Sequence, residues 1–203
     1  MAAIYDARGL VFESSDAVGR ADCATGWAAD AIGTDAGASD QLALIAHRLM
    51  RAEKFTELAQ GHQQSWRLDV RLLWVRAESL LLADRAKQAL VHADRAVTVS
   101  RLRGTPRHLA KSLLVQGVTE LALHDDASAV ASLESAAAIA DFGGLQPLRL
   151  PTHGLLGQLL DNADAVAHYA SAAAAADFIA GHLPDECSEW RSQADVLALT
   201  GSH

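Results

Sequence analysis

Apolar residues recur along this chain at helical spacing, and one set of offsets occurs three times. Ala89, Leu90, Ala93, Ala96 and Val97 form the first copy, Ala129, Val130, Leu133, Ala136 and Ala137 the second, and Ala165, Val166, Tyr169, Ala172 and Ala173 the third. The copies start 40 and 36 residues apart. Apolar positions three and four apart share one helix face, and a period of this length is that of a helical hairpin stacked on its neighbours. The pattern predicts an all-α fold, a stack of antiparallel helical hairpins closed by a C-terminal capping helix.

The first hairpin is expected over residues 65–83 and from there to about Arg101, stopped at Gly104. The second runs from Pro106 to His124 and from Asp126 to Asp141, the third from about Leu148 to Leu160 and from Asn162 to Gly181. Asp84 reads as the N-cap of its following helix. Pro147 and Pro151 are expected to delay or kink the first helix of the third hairpin. A last helix over Pro184 to Leu199 would cover the end of the stack. Upstream, helical spacing starts at Asp16 with Ala17, Ala21, Ala24, Trp27, Ala28 and Ile32, and Gly33 is its cap. Residues 33–39 read as a linker. The pattern resumes near Asp40, with a second short helix from Glu53 to Gly61. The expected organisation is an N-terminal extension over 1–39 and a repeat domain over 40–203.

In each second helix, alanine stands where its hairpin partner must come close. Ala89, Ala129 and Ala165 are equivalent, and Ala96, Ala136 and Ala172 lie two turns on. A larger side chain there would overpack at a cost of about 1–3 kcal/mol. The spacing of Gly117, Ala129, Leu133 and Ala136 resembles the tetratricopeptide repeat, with Ala77 in the glycine place of the first copy and Gly154, displaced by about one residue, in that of the third. The likeness covers about residues 65–182, with a degraded form over 40–62, and it implies a right-handed superhelix that binds protein partners. Arg107-His108, Lys111-Ser-Leu-Leu, the Gly144–Arg149 run and Leu183-Pro-Asp-Glu186 further resemble the helical-repeat tails of bacterial LuxR-type regulators and related signalling ATPases. That resemblance implies a role in sensing effectors or binding partners. The nucleotide-binding domain of those proteins is missing from this sequence.

Composition supports helices. Half of the residues are apolar, many of them alanine, and aromatics make up only 5%, which suits close helix packing and argues against a β-sandwich. The net charge of −8 is unevenly spread. Residues 1–44 hold 2 basic and 7 acidic side chains, 45–111 hold 13 and 6, and 112–203 hold 2 and 12. A basic middle between acidic ends could dock an acidic partner or pair copies into a homo-oligomer. Cys23 and Cys187 make no disulfide framework or metal-type pair, and Cys23 reads as a small buried side chain. No signal peptide or membrane-length apolar run is legible, so a soluble cytoplasmic protein is expected.

Candidate chemistry is sparse. The phosphate-loop, dinucleotide, nucleophile-elbow and His-Glu-x-x-His motifs do not occur. Asp164 with His168, or His124 with Asp125 and Asp126, could hold one side of a metal site, but zinc needs three or four converging ligands. His182 lies five residues before Cys187, with nothing to complete a catalytic set. The expectation is a non-catalytic protein with no cofactor and no metal. In the repeat phase, Arg71 and Lys111 occupy the same early place in a first helix, Trp74 and Leu114 follow one turn on, Glu78 lies one turn beyond Trp74, and Arg107 one turn before Lys111. These six residues are the candidate partner-binding set, a groove for a protein or acidic peptide. The alternatives are a module that senses a small molecule between repeats and an enzyme with an unrecognised site. Nucleic acid is disfavoured, because the chain is acidic overall and its basic stretch lacks interleaved aromatics for stacking.

Overall fold

The computed structural model describes residues 38–58, 60, 61 and 65–201, together with Ala24, Thr25 and Ala28. It is all-α, with no strand among the described residues. The helices are α1 (Ala38–Leu58), α2 (Ser65–Leu82), α3 (Ala86–Leu102), α4 (Pro106–Ala122), α5 (Asp126–Phe142), α6 (Gln146–Leu159), α7 (Asn162–Ala180) and α8 (Ala194–Leu199), with a 3-10 helix over Asp185–Ser192 between the last two. The expected N-terminal helix, its Gly33 cap and most of the 33–39 linker lie outside the described residues. Ala24, Thr25 and Ala28 are helical and buried, and α1 takes up Ala38 and Ser39 from the expected linker.

Two compact units divide the chain, Met1–Val99 and Ser100–His203. In the first, α1 packs on α2, and Ala52 and Leu72 meet buried Ala24 beside Leu49 and Phe55. Val70 and Leu73 of α2 close on Ala96 of α3, with Trp66, Trp74 and Val99 at the margin. In the second unit, α4 pairs with α5, α6 with α7, and α5 lies against α6. Leu114, Leu133, Ala137 and Leu156 form the core between them. A further core of Leu150, Ala172, Ala175, Ala176 and Val196, flanked by Ile179, Trp190 and Leu199, joins α6 and α7 to the C-terminal segment.

The hairpins are punctuated at regular intervals. Helices α3 to α6 start at residues 86, 106, 126 and 146. Before each, one residue adopts a left-handed backbone: Asp84 (φ 55°), Gly104 (62°), His124 (59°) and Gly144 (59°). The next N–H then reaches back five residues, from Arg85 to Leu80 O, Thr105 to Ser100 O, Asp125 to Glu120 O and Leu145 to Ala140 O. This closure satisfies carbonyls that the helix end would leave bare. Asp84 therefore ends α2 and does not cap α3, correcting the sequence expectation. Asp125, one place later in the equivalent turn one repeat on, does cap, accepting the Ser128 N–H at 3.2 Å.

Other boundaries depart from expectation for physical reasons. Helix α1 runs unbroken through Arg51–Glu53, because Ala52 is wholly buried and Phe55 packs beside it, so no second helix starts at Glu53. Helix α6 starts at Gln146, earlier than expected, since Pro147 falls in its first turn where no N–H is needed. The expected last helix is two pieces, the 3-10 segment and α8, which break at Gln193 (ψ 140°).

The third copy is out of phase for a definite reason. A Cβ on Gly117 would lie 2.8 Å from Leu133 Cγ, and one on Gly157 would lie 2.9 Å from the Tyr169 ring. Gly157, 40 residues beyond Gly117, thus holds the glycine place that was expected near Gly154. Tyr169 follows Leu133 by only 36, so four residues, about one helical turn, are missing between Gly157 and Tyr169. Helix α6 has 14 residues where α3, α4 and α5 have 17. Its missing turn fails to cover the start of α7, and Ala165 is only half-buried while Ala89 and Ala129 are wholly buried. Gly154 meets α8 instead: a Cβ there would lie 2.7 Å from the Leu199 carbonyl oxygen.

Candidate functional site

The first unit contains an open cleft of about 310 Å³ between α1, α2 and the start of α3. Leu42, Ile45, Ala46 and Leu49 come from one face of α1, where spacings of three and four bring them together. Helix α2 and the turn after it supply Arg76, Ser79, Leu80 and Ala83, and Arg85 and His92 complete the wall. Ile45 is buried, whereas Ala46 and Arg85 are exposed. The Arg76 guanidinium donates to Glu53 Oε1 through Nε (3.1 Å) and Nη2 (2.7 Å). Burial, followed by the charges of Arg76 and Arg95, holds the His92 imidazole below its usual pKa. Among the described residues, no carboxylate lines the cleft.

The second unit holds a polar chain of a different kind. His153 on α6 is 5% exposed. Its Nε2 lies 3.1 Å from Asp141 Oδ1 and its Nδ1 lies 2.8 Å from His168 Nδ1. Arg149 Nε donates to the same Asp141 oxygen at 2.6 Å. An ionised carboxylate can only accept, so His153 Nε2 carries a proton, and His153 Nδ1 and His168 Nδ1 share a second one in their contact. Burial works against ionisation of Asp141, but the hydrogen bonds from His153 and Arg149, with their charges, hold its pKa below the usual value. Burial and then the His153 charge lower the His168 pKa, against the opposing Asp164, Glu134 and Asp141.

This chain makes stability depend on pH. His168 takes up a proton less readily folded than unfolded, so its contribution is present above its unfolded pKa of about 6.5 and is lost as pH falls through that value toward the lower folded one. His92 acts in the same sense in the first unit, and Asp141 adds a further loss below about 3.8. The melting temperature is expected to be lower at about pH 5 than at about pH 7.5, and His168→Asn, which keeps an N–H donor but does not titrate, is expected to reduce the difference. Differential scanning calorimetry of both chains at both pH values checks this; an equal drop in the two would contradict it.

The six sequence-derived partner residues fall three in each unit. Arg71, Trp74 and Glu78 lie on α2 and are each half-buried, and Trp74 also packs beside Val70, Leu73 and Ala96. Arg107 is exposed and Lys111 half-buried on α4. Leu114 is 6% exposed and belongs to the core with Leu133 and Leu156. It is removed from the set, because its face of α4 turns toward α5 and α6. His182 Nδ1–H donates to the Phe178 carbonyl at 2.7 Å, and the ring stacks on Phe178; the Cys187 side chain lies outside the described residues. His124 is held in the left-handed turn position. Among the described residues, no group of three or more His, Cys, Asp or Glu side chains is placed to hold a metal ion, and no helix is long and apolar enough to cross a membrane.

Sequence reasoning did not single out Arg76, Arg85 or His92. Arg85, just before α3, and His92 are seven apart, and this spacing was the available signal. His153 was overlooked too, although it is in step with Leu150 and Leu156. No protein-family model and no curated protein matches this chain.

Proposed function

We propose that the chain is a non-catalytic binding module that takes up a small effector in the cleft of its first unit and works as a regulatory element. The observation that carries this reading is the cleft itself, whose volume of about 310 Å³ and apolar walls with a few polar groups fit a small-molecule site. A non-catalytic role is supported by His153, which uses both ring nitrogens within the protein. The likeness to effector-sensing repeat tails points the same way.

A neutral apolar fluorophore, N-phenyl-1-naphthylamine, tests the site. It is expected to bind saturably, one per chain. Ala46→Trp, which places an indole at the exposed lip of the cleft, is expected to weaken binding at least about tenfold, a loss of ~1.4 kcal/mol. Non-saturating fluorescence, or equal titrations for the two chains, would remove the reading.

A second reading, a scaffold or adaptor for a protein or acidic peptide, is supported by a different feature. Phe142 at the end of α5 is 98% exposed and Leu102 at the end of α3 is 81% exposed. Large apolar side chains left in water are the usual anchors of protein interfaces.

A further inference from the structure

The side chains of the cleft specify the kind of ligand it suits, an inference that rests on the binding role proposed above. Leu42, Ile45, Leu49 and Leu80 give it an apolar floor and side. Among the described residues, its charged or titratable lining groups are Arg76, Arg85 and His92, all cationic or potentially so. Arg76 is matched by Glu53. Arg85 has no ion-pair partner among the described residues. His92, half-buried, makes no hydrogen bond among the described residues, and the nearby Arg76 and Arg95 charges disfavour its protonation. Among the described residues, one positive charge at the mouth is therefore unmatched, next to an imidazole that would gain a proton more readily if an anion arrived. The volume of about 310 Å³ lies at the small end of the range of small-molecule sites. An unbranched chain of about eight carbons with a head group is of that order.

We infer that the cleft binds an amphipathic monocarboxylate of medium length, its hydrocarbon along Leu42, Ile45, Leu49 and Leu80 and its carboxylate at the Arg85 and His92 wall. Arginine favours the carboxylate because its planar fork can donate two parallel hydrogen bonds. A cationic amphiphile of equal length gains the same apolar contact but meets like charge.

Displacement of bound N-phenyl-1-naphthylamine by octanoate and by octylamine tests the inference. Octanoate is expected to displace the fluorophore at a concentration at least about fivefold lower than octylamine. In Arg85→Glu, where a carboxylate is tolerated at the start of a helix, the preference for octanoate is expected to disappear or reverse, each displacement being scaled to the fluorophore affinity measured for that variant. The His92 imidazole, followed by NMR, is expected to titrate at higher pH with octanoate bound. Equal displacement by the two amphiphiles, or a preference that survives in Arg85→Glu, overturns the ligand class and leaves the cleft as a binding site. If the fluorophore fails to bind the unaltered chain, the binding role falls and the ligand class with it.

Discussion

Shortening Leu133 to alanine is expected to lower the free energy of unfolding by about 2–5 kcal/mol, because the side chain has no exposed surface and its loss leaves a cavity. Leu133 fills the space above Gly117 and touches the core that α4, α5 and α6 share. Gly117→Ala in the opposite helix is expected to overpack the same contact at a cost of about 1–3 kcal/mol, offset by about 1 kcal/mol from the better helix propensity of alanine. The double variant places alanine at both positions. That is the pair the chain already uses one repeat earlier, where Ala77 and Ala93 are both wholly buried. Its loss is expected to be smaller than the sum of the single losses by about 0.5–3 kcal/mol. Urea denaturation of the four chains closes the cycle, and strict additivity would show that Gly117 and Leu133 do not share one space.

Gly154→Ala is expected to act further along α6 and more selectively. The new methyl would meet the carbonyl oxygen of Leu199 at 2.7 Å and the Leu199 Cβ at 2.8 Å. Backbone cannot rotate aside as a side-chain tip can, so α8 must move. The expected cost is about 1–3 kcal/mol, concentrated where α8 closes the core of Leu150, Ala172, Ala175 and Ala176. Amide hydrogen exchange is expected to accelerate in α8 while protection in α4 and α5 is retained. If α8 exchanges at the same rate in both chains, Gly154 is not the point at which α8 docks.

The repeat was legible because its offsets are local: Ala129, Leu133 and Ala136 lie on one face whatever surrounds them. The same logic located α2 to α7 to within two residues at most boundaries. It failed at the third copy. A deletion of four residues preserves helical phase almost completely, so the pattern of α7 stays intact and the sequence does not say where the turn was lost. Only the contact of Gly157 with Tyr169 places it. Asp84 was misread because aspartate serves equally well as a cap and as a left-handed residue, and the two uses differ by one position. The candidate contacts fared unevenly for a related reason. Helical phase gives direction around an axis but not what lies opposite, so Leu114 looked like a surface residue until α5 and α6 were placed beside it. The cleft depends on the packing of α1 on α2, a tertiary fact with no trace in the repeat.

The shortened α6 also bears on how such a chain could grow. Hairpins metered at a constant interval can be gained or lost as whole modules, because each presents its successor with the same face. Beyond α6 that interchangeability ends. The face of α6 on which a further hairpin would stack is filled by Leu199 over Gly154, so a module seated directly on that face would have to displace α8.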